Sequence, residues 1–295
     1  MLIVMGFTSA SGYKASVSNL WSYGGFAPRG WSGFFGGFQI AVFAYVGIEL
    51  VGTTSAETAN PPKTMPKAIN AVPVRVLVFY VAALLAMMCV TPWNLIQTDS
   101  SPFVQMFGLI GFTAAAGIMN FVVLTSAASS ANSGVYSTSR MLYGLAHKGM
   151  APGAFGKLSR HGVPGWGLFC TIILIGSALI LAAKDSVMGA FTLVTTVSAV
   201  LFVFVWSMIL ISHIVHVRRN PQAHAKSIYP MPGASFMPWV VLAFFVFVIV
   251  LLTGADDTLQ ALLAVPIWFV VLGIVWAIVR RRSHHDDLET DLPAD

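Results

Sequence analysis

The chain has 295 residues, of which 57% are hydrophobic and 9% charged, with a formal net charge of +5. Its mean hydropathy is +0.79. That balance excludes an ordinary soluble globular domain and points to an all-α integral membrane protein.

Apolar blocks of about 20 residues, the helical length that crosses a bilayer, are predicted near 36–56, 69–91, 104–138, 166–183, 187–215, 236–254 and 258–279. The opening MLIVMGFTSASG is apolar but too short to span, and no basic residue precedes it. It makes a poor signal peptide. It reads better as the outer end of a helix that begins outside this chain, over residues 1–9. Residues 10–35 are rich in Gly, Ser and aromatics and read as an outer loop, with Tyr13, Trp21, Tyr23 and Trp31 at the headgroup level.

The first full span carries an anomaly. In VFAYVGIELVGTTSAET (42–58), Glu49 lies in mid-span with Gly47 and Gly52 beside it. The other ten of the eleven acids, Glu57 included, fall in loops, span ends or the tail. An ionised carboxylate at that depth costs about 2.5–3.5 kcal/mol unless it is paired, protonated or wet. Gly47 weakens the helix just before it. A break at Val46–Gly47 is predicted to expose the Phe43 and Ala44 carbonyls and to free N–H groups on the next half-helix. Unwound backbone at that depth lines a cavity or is buried in protein, and broken helices form substrate and ion sites in secondary transporters. A carbonyl end suits a cation such as an ammonium group. The other reading is a protonated structural Glu49 bonded to a neighbouring hydroxyl, with the glycines serving packing and Phe43 and Tyr45 packing as ordinary aromatics.

Pro61 and Pro62 are predicted to end this helix. The block at 104–138 is too long for one straight span, so it tilts or runs on as helix. Its stretch TSAASSANSGVYSTSR (125–140) is almost all small residues, suited to close helix packing. An amphipathic surface helix is predicted at 138–148, Arg280 to Arg282 as a stop-transfer anchor, and the acidic tail 280–295 as disordered.

Orientation follows from the basic residues. One alternating set of loops holds Lys63, Lys67, Arg75, Arg140, Lys148, Lys157, Arg160, Arg218, Arg219, Lys226 and Arg280 to Arg282, which is 13 of the 16 Lys and Arg. The other set holds Lys14, Arg29 and Lys184. The first set is predicted cytoplasmic, with the C-terminus. These loops account for the net charge, so no nucleic-acid partner is needed. Cys89 and Cys170 form no CxxC and are predicted too far apart to bridge. His284, His285, Asp286 and Asp287 read as a solvated end, and neither metal nor cofactor is expected.

FAYVGIELVGTTSAE followed by MPKAIN resembles the broken sixth span and following loop of amino acid permeases of the amino acid–polyamine–organocation superfamily. NFVVLTSAASSANSGVYSTSRMLYGLAHKGMAP is similar to their eighth span and inner loop, and the likeness continues through TTVSAVLFVFVW to the last two spans. The resemblance implies a leucine-transporter-like fold of twelve spans with two inverted five-helix repeats. Residues 36–215 would form the second repeat, its broken first helix at 36–56. Residues 216–279 would form the last two transmembrane helices.

The resemblance also implies proton symport of small neutral amino acids, such as D-serine, D-alanine and glycine, across the bacterial cytoplasmic membrane. By position, Phe43 resembles the aromatic gate over the substrate. Ala44, Tyr45, Val46, Gly47 and Ile48 match the unwound segment whose carbonyls take the substrate amino group. Glu49 matches an acid that links this segment to neighbouring helices and takes part in coupling. Ser126, Ser129, Ser130, Asn132 and Ser133 match possible lining positions of the eighth span, and Thr195 and Ser198 positions on the tenth. The broken first span, the third span and a fifth-span lysine linked to coupling have no counterpart here, and Lys14 lies in a loop.

No Ser–His–Asp order or phosphate loop supports an enzyme. A half-transporter, inert alone or assembling with another piece, stays open. A seven-span receptor fits the span count, but no lysine lies mid-span for a Schiff base and no cysteine pair ties the outer loops.

Overall fold

The computed structural model describes residues 9–10, 13–53, 58–97, 101–109, 113–184, 187–222, 227, 229–231, 233–254 and 256–290. Apart from one two-residue hairpin, these residues form helices and their connections. They fall into two compact units. One contains Met1–Ala127 and Phe202–Ala255, the other Ala128–Leu201 and Asp256–Asp295. The predicted outer end of a helix at 1–9, apart from Ser9, lies outside the described residues, as do Glu57, Lys226 and 291–295.

In the first unit, β1 (Ser9–Ala10) pairs antiparallel with β2 (Tyr13–Lys14). A 3₁₀ turn at Val17–Leu20 follows, capped by Ser16, whose hydroxyl accepts from the Ser18 N–H. This strap is tied to a helix end. The Ser16 N–H and the Asn19 side-chain amide both donate to the Cys89 carbonyl, each at 2.9 Å. Cys89 lies in a last helical turn, where carbonyls lack donors from their own helix. The Trp93 indole N–H donates to the Tyr23 carbonyl at 3.0 Å, and the Arg29 guanidinium lies 5.5 Å from the Trp93 ring centroid. The predicted loop 10–35 is thus a folded strap.

Helix α1 (Gly30–Gly36) falls in the predicted loop, and the described residues of the block predicted at 36–56 hold α2 (Phe38–Ala44) and α3 (Leu50–Thr53). Phe35 and Phe38 make edge-on contacts with Phe247, and Phe38 meets Phe244. Helix–helix packing here is therefore aromatic, worth more than its buried area alone.

Pro61 and Pro62 open a helix instead of ending one. They occupy the first turn of α4 (Pro61–Val76), after Asn60 at φ +54°. Proline suits that turn, because its missing N–H has no helical partner there and its φ is already helical. Past Pro73 the helix widens into a π-helical stretch, Leu77–Val81, before α5 (Ala82–Val90). Together they make one apolar helix of 30 residues.

In the block at 104–138 the described residues lie on α6 (Pro102–Leu109) and α7 (Thr113–His147). The surface helix predicted at 138–148 is continuous with α7. No helix-breaking residue intervenes between Ser126 and His147 except glycines, which an established helix tolerates at a cost of about 1 kcal/mol each.

In the second unit, α7 stops in two paired hydrogen bonds. The Met150 N–H donates to Leu145 and the Gly149 N–H to Ala146, with Gly149 at φ +66°. This end needs a left-handed residue, which glycine supplies. After a turn bound by the Ser159 hydroxyl, α8 (Gly165–Lys184) packs closely on α7. A Cβ added at Gly167 would lie 3.1 Å from the Ser139 carbonyl oxygen. This is the close approach that the small-residue stretch predicts. Helix α9 (Val187–Arg219) begins in this unit and ends in the first, to which α10 (Met237–Leu252) belongs. Helix α11 (Asp256–Thr290) carries the last predicted span and runs on through 280–290, where the sequence predicts disorder. Among the described residues, Pro61–Val90, Gly189–Arg219 and Thr258–Val279 are long and apolar enough to cross a bilayer, and Gly165–Ser177 and Met237–Leu252 are shorter apolar helices.

Candidate functional site

The break falls where Gly47 and Glu49 predict it. Helix α2 ends at Ala44, α3 begins at Leu50, and Tyr45 to Glu49 form turns between them. Gly47 stands at φ +105°. Its N–H is held by the Glu49 carboxylate, at 3.0 Å from one oxygen and 3.1 Å from the other. The carboxylate therefore bends back on its own turn, and those bonds partly offset the cost of placing it there.

The backbone groups predicted to be exposed are instead engaged. The Val46 N–H donates to the Phe43 carbonyl at 3.0 Å. The Tyr80 hydroxyl, from the π-helical stretch, donates to the Ala44 carbonyl at 2.9 Å. Beyond the break, the N–H groups of Leu50, Val51 and Gly52 return to the carbonyls of Gly47, Ile48 and Glu49. Tight i→i+3 turns thus replace the lost helical bonds. Tyr45 and Tyr80 also meet ring to ring, with centroids 5.9 Å apart and planes at 54°. The sequence reading missed Tyr80. Its signal is slight, one hydroxyl in an otherwise apolar VLVFYVAALL.

The eighth-span candidates belong to one long helix. Ser126, Ser129, Ser130, Asn132 and Ser133 all lie on α7 and are exposed. Helical spacing puts the four serines on one face, with Asn132 to its side. The Ser133 hydroxyl donates back to the Ser129 carbonyl at 3.0 Å. On α9, Thr195 is buried and its hydroxyl donates to the carbonyls of Phe191 and Thr192, while Ser198 is half-buried. Both cysteines are free thiols. Among the described residues no cluster of His, Cys, Asp or Glu could hold a metal. A cavity of about 560 Å³ lies under the strap, lined in part by Arg29, Trp93 and Asn94, and does not reach residues 43–49.

The break thus carries a half-buried carboxylate within an apolar segment, and a stripe of hydroxyls runs along the long helix α7. Residues 1–288 match the sequence model of a family described as amino acid permease. The chain belongs to the amino acid permease family. It is 56% identical over 283 residues to the D-serine/D-alanine/glycine transporter of Escherichia coli K12, an alignment covering 96% of this chain and 60% of that relative. It is 48% identical over 287 residues to the amino-acid permease AapA of Bacillus subtilis 168, covering 96% of this chain and 61% of AapA. This permease chain thus spans about three-fifths of the length of those relatives. Together with its apolar helices, this makes it a multi-pass membrane protein of a transporter family.

Proposed function

We propose that the protein carries small neutral amino acids, with glycine, D-alanine and D-serine as substrates, across the bacterial cytoplasmic membrane by proton symport. The single observation behind this reading is the break at Tyr45–Glu49, which ends α2 in a carbonyl at Ala44. The C-terminal end of a helix carries partial negative charge and favours a cation, here the ammonium of the amino acid. The name of the Escherichia coli relative supports the substrate class.

In this reading Phe43 closes over the substrate. The backbone of Ala44, Tyr45, Val46, Gly47 and Ile48 receives its amino group, and Ser126, Ser129, Ser130, Asn132 and Ser133 are possible lining positions of the eighth span. Glu49 takes part in proton coupling. Residues 36–215 form the second inverted repeat, 216–279 the last two helices, and the C-terminus is cytoplasmic.

Uptake of labelled glycine tests the reading, with the natural gene product expressed in cells lacking their own glycine carriers. Unlabelled D-alanine and D-serine should compete, and a protonophore should abolish accumulation. Absence of glycine uptake would remove the substrate assignment. Accumulation that survives the protonophore would remove proton coupling alone.

A further inference from the structure

We propose that the Tyr80 hydroxyl is a stand-in for the substrate ammonium, holding the Ala44 carbonyl while the site is empty and yielding it to the incoming amino acid. The inference rests on the reading of the broken helix as the ammonium site.

In an unbroken helix the Ala44 carbonyl would accept from the Ile48 N–H. Here the Ile48 N–H turns to the Tyr45 carbonyl, leaving the Ala44 oxygen without its helical donor. The hydroxyl that fills that place comes from 36 residues away, at 2.9 Å. Tyr80 is presented by a π-helical stretch, a departure from regular helix that often marks a functional position. Its ring is held beside Tyr45, inside the same break.

A phenol is a neutral donor. An ammonium is a charged one and makes the stronger bond to the same carbonyl, so substrate displaces the hydroxyl. When substrate leaves, the hydroxyl returns and the empty carrier is not left with an orphaned carbonyl in an apolar setting. Tyr80 is therefore a positioning residue for the empty state.

The test is Tyr80→Phe in the natural gene product, reconstituted in lipid vesicles. Loss of the competing donor should tighten glycine binding about threefold to tenfold. Net uptake into empty vesicles should fall, because the empty carrier must return, while exchange into glycine-loaded vesicles should persist. Unchanged or weaker glycine binding, or equal losses of exchange and net uptake, would overturn the inference.

A second measurement does not depend on that variant folding. With 3-fluorotyrosine in place of Tyr80, the fluorine resonance should move on adding glycine and stay fixed with glycolate, which has a hydroxyl where glycine has ammonium. Equal responses to both would count against the displacement. If the unsubstituted protein binds no glycine, the ammonium site falls and this inference with it. If it binds glycine but ignores Tyr80, this inference alone falls.

Discussion

At φ +105°, Gly47 holds a backbone conformation that other residues adopt only at a cost of about 1–3 kcal/mol. That turn brings its N–H onto both oxygens of Glu49. Glu49→Gln keeps one acceptor for this N–H and removes the charge. The variant should insert normally, and its initial uptake rate should fall about tenfold or more, or the pH dependence of uptake should be reduced. Rates and pH profile matching the parent would end the coupling role. Both residues are legible in the sequence, because a lone carboxylate and a glycine stand out against an apolar run. Tyr80 is not, because a single tyrosine in a span reads as packing until a partner carbonyl is located. The direction of the Glu49 side chain was equally hidden, since spacing cannot distinguish a bond to its own turn from one to a neighbouring helix.

Helices of this chain are governed by where glycine and proline fall within them. Pro61 and Pro62 mark an end in the sequence, yet the same residues serve as a beginning, since proline is compatible with the first turn of a helix and not with its interior. The contact between α7 and α8 depends on the missing side chain of Gly167, where a Cβ would meet the Ser139 oxygen at 3.1 Å and its Cα at 3.3 Å. Gly167→Ala should destabilise the protein by about 1–3 kcal/mol, seen as a lower Tm in detergent. Gly176→Ala is the contrast, since nothing lies within 4 Å of its added Cβ. It should leave Tm unchanged or raise it slightly, as alanine is the better helix former. Equal effects from the two would mean that backbone flexibility, not contact, sets the response. The small-residue stretch announced a close contact, but not that Gly167 would supply the other side.

Across the molecule, 13 of 16 basic residues fall in one alternating set of segments. If that set is cytoplasmic, a cysteine replacing Ser22 should react with an impermeant maleimide in intact cells, and one replacing Ser159 only after lysis. These variants are made without Cys89 and Cys170. The opposite pattern would invert the topology. Composition made the membrane class legible. It did not show that two compact units divide the chain within α7 and α9, because hydropathy records exposure to lipid and not which helices pack together. The Glu49 turn also bears on biogenesis. A bare carboxylate entering the bilayer would have to wait for a partner helix to be synthesised. This one arrives with its partner, a backbone N–H two residues away. The carboxylate thus has its partner before any later helix is made, whereas the Ala44 carbonyl of the same break waits for Tyr80 on the helix that follows.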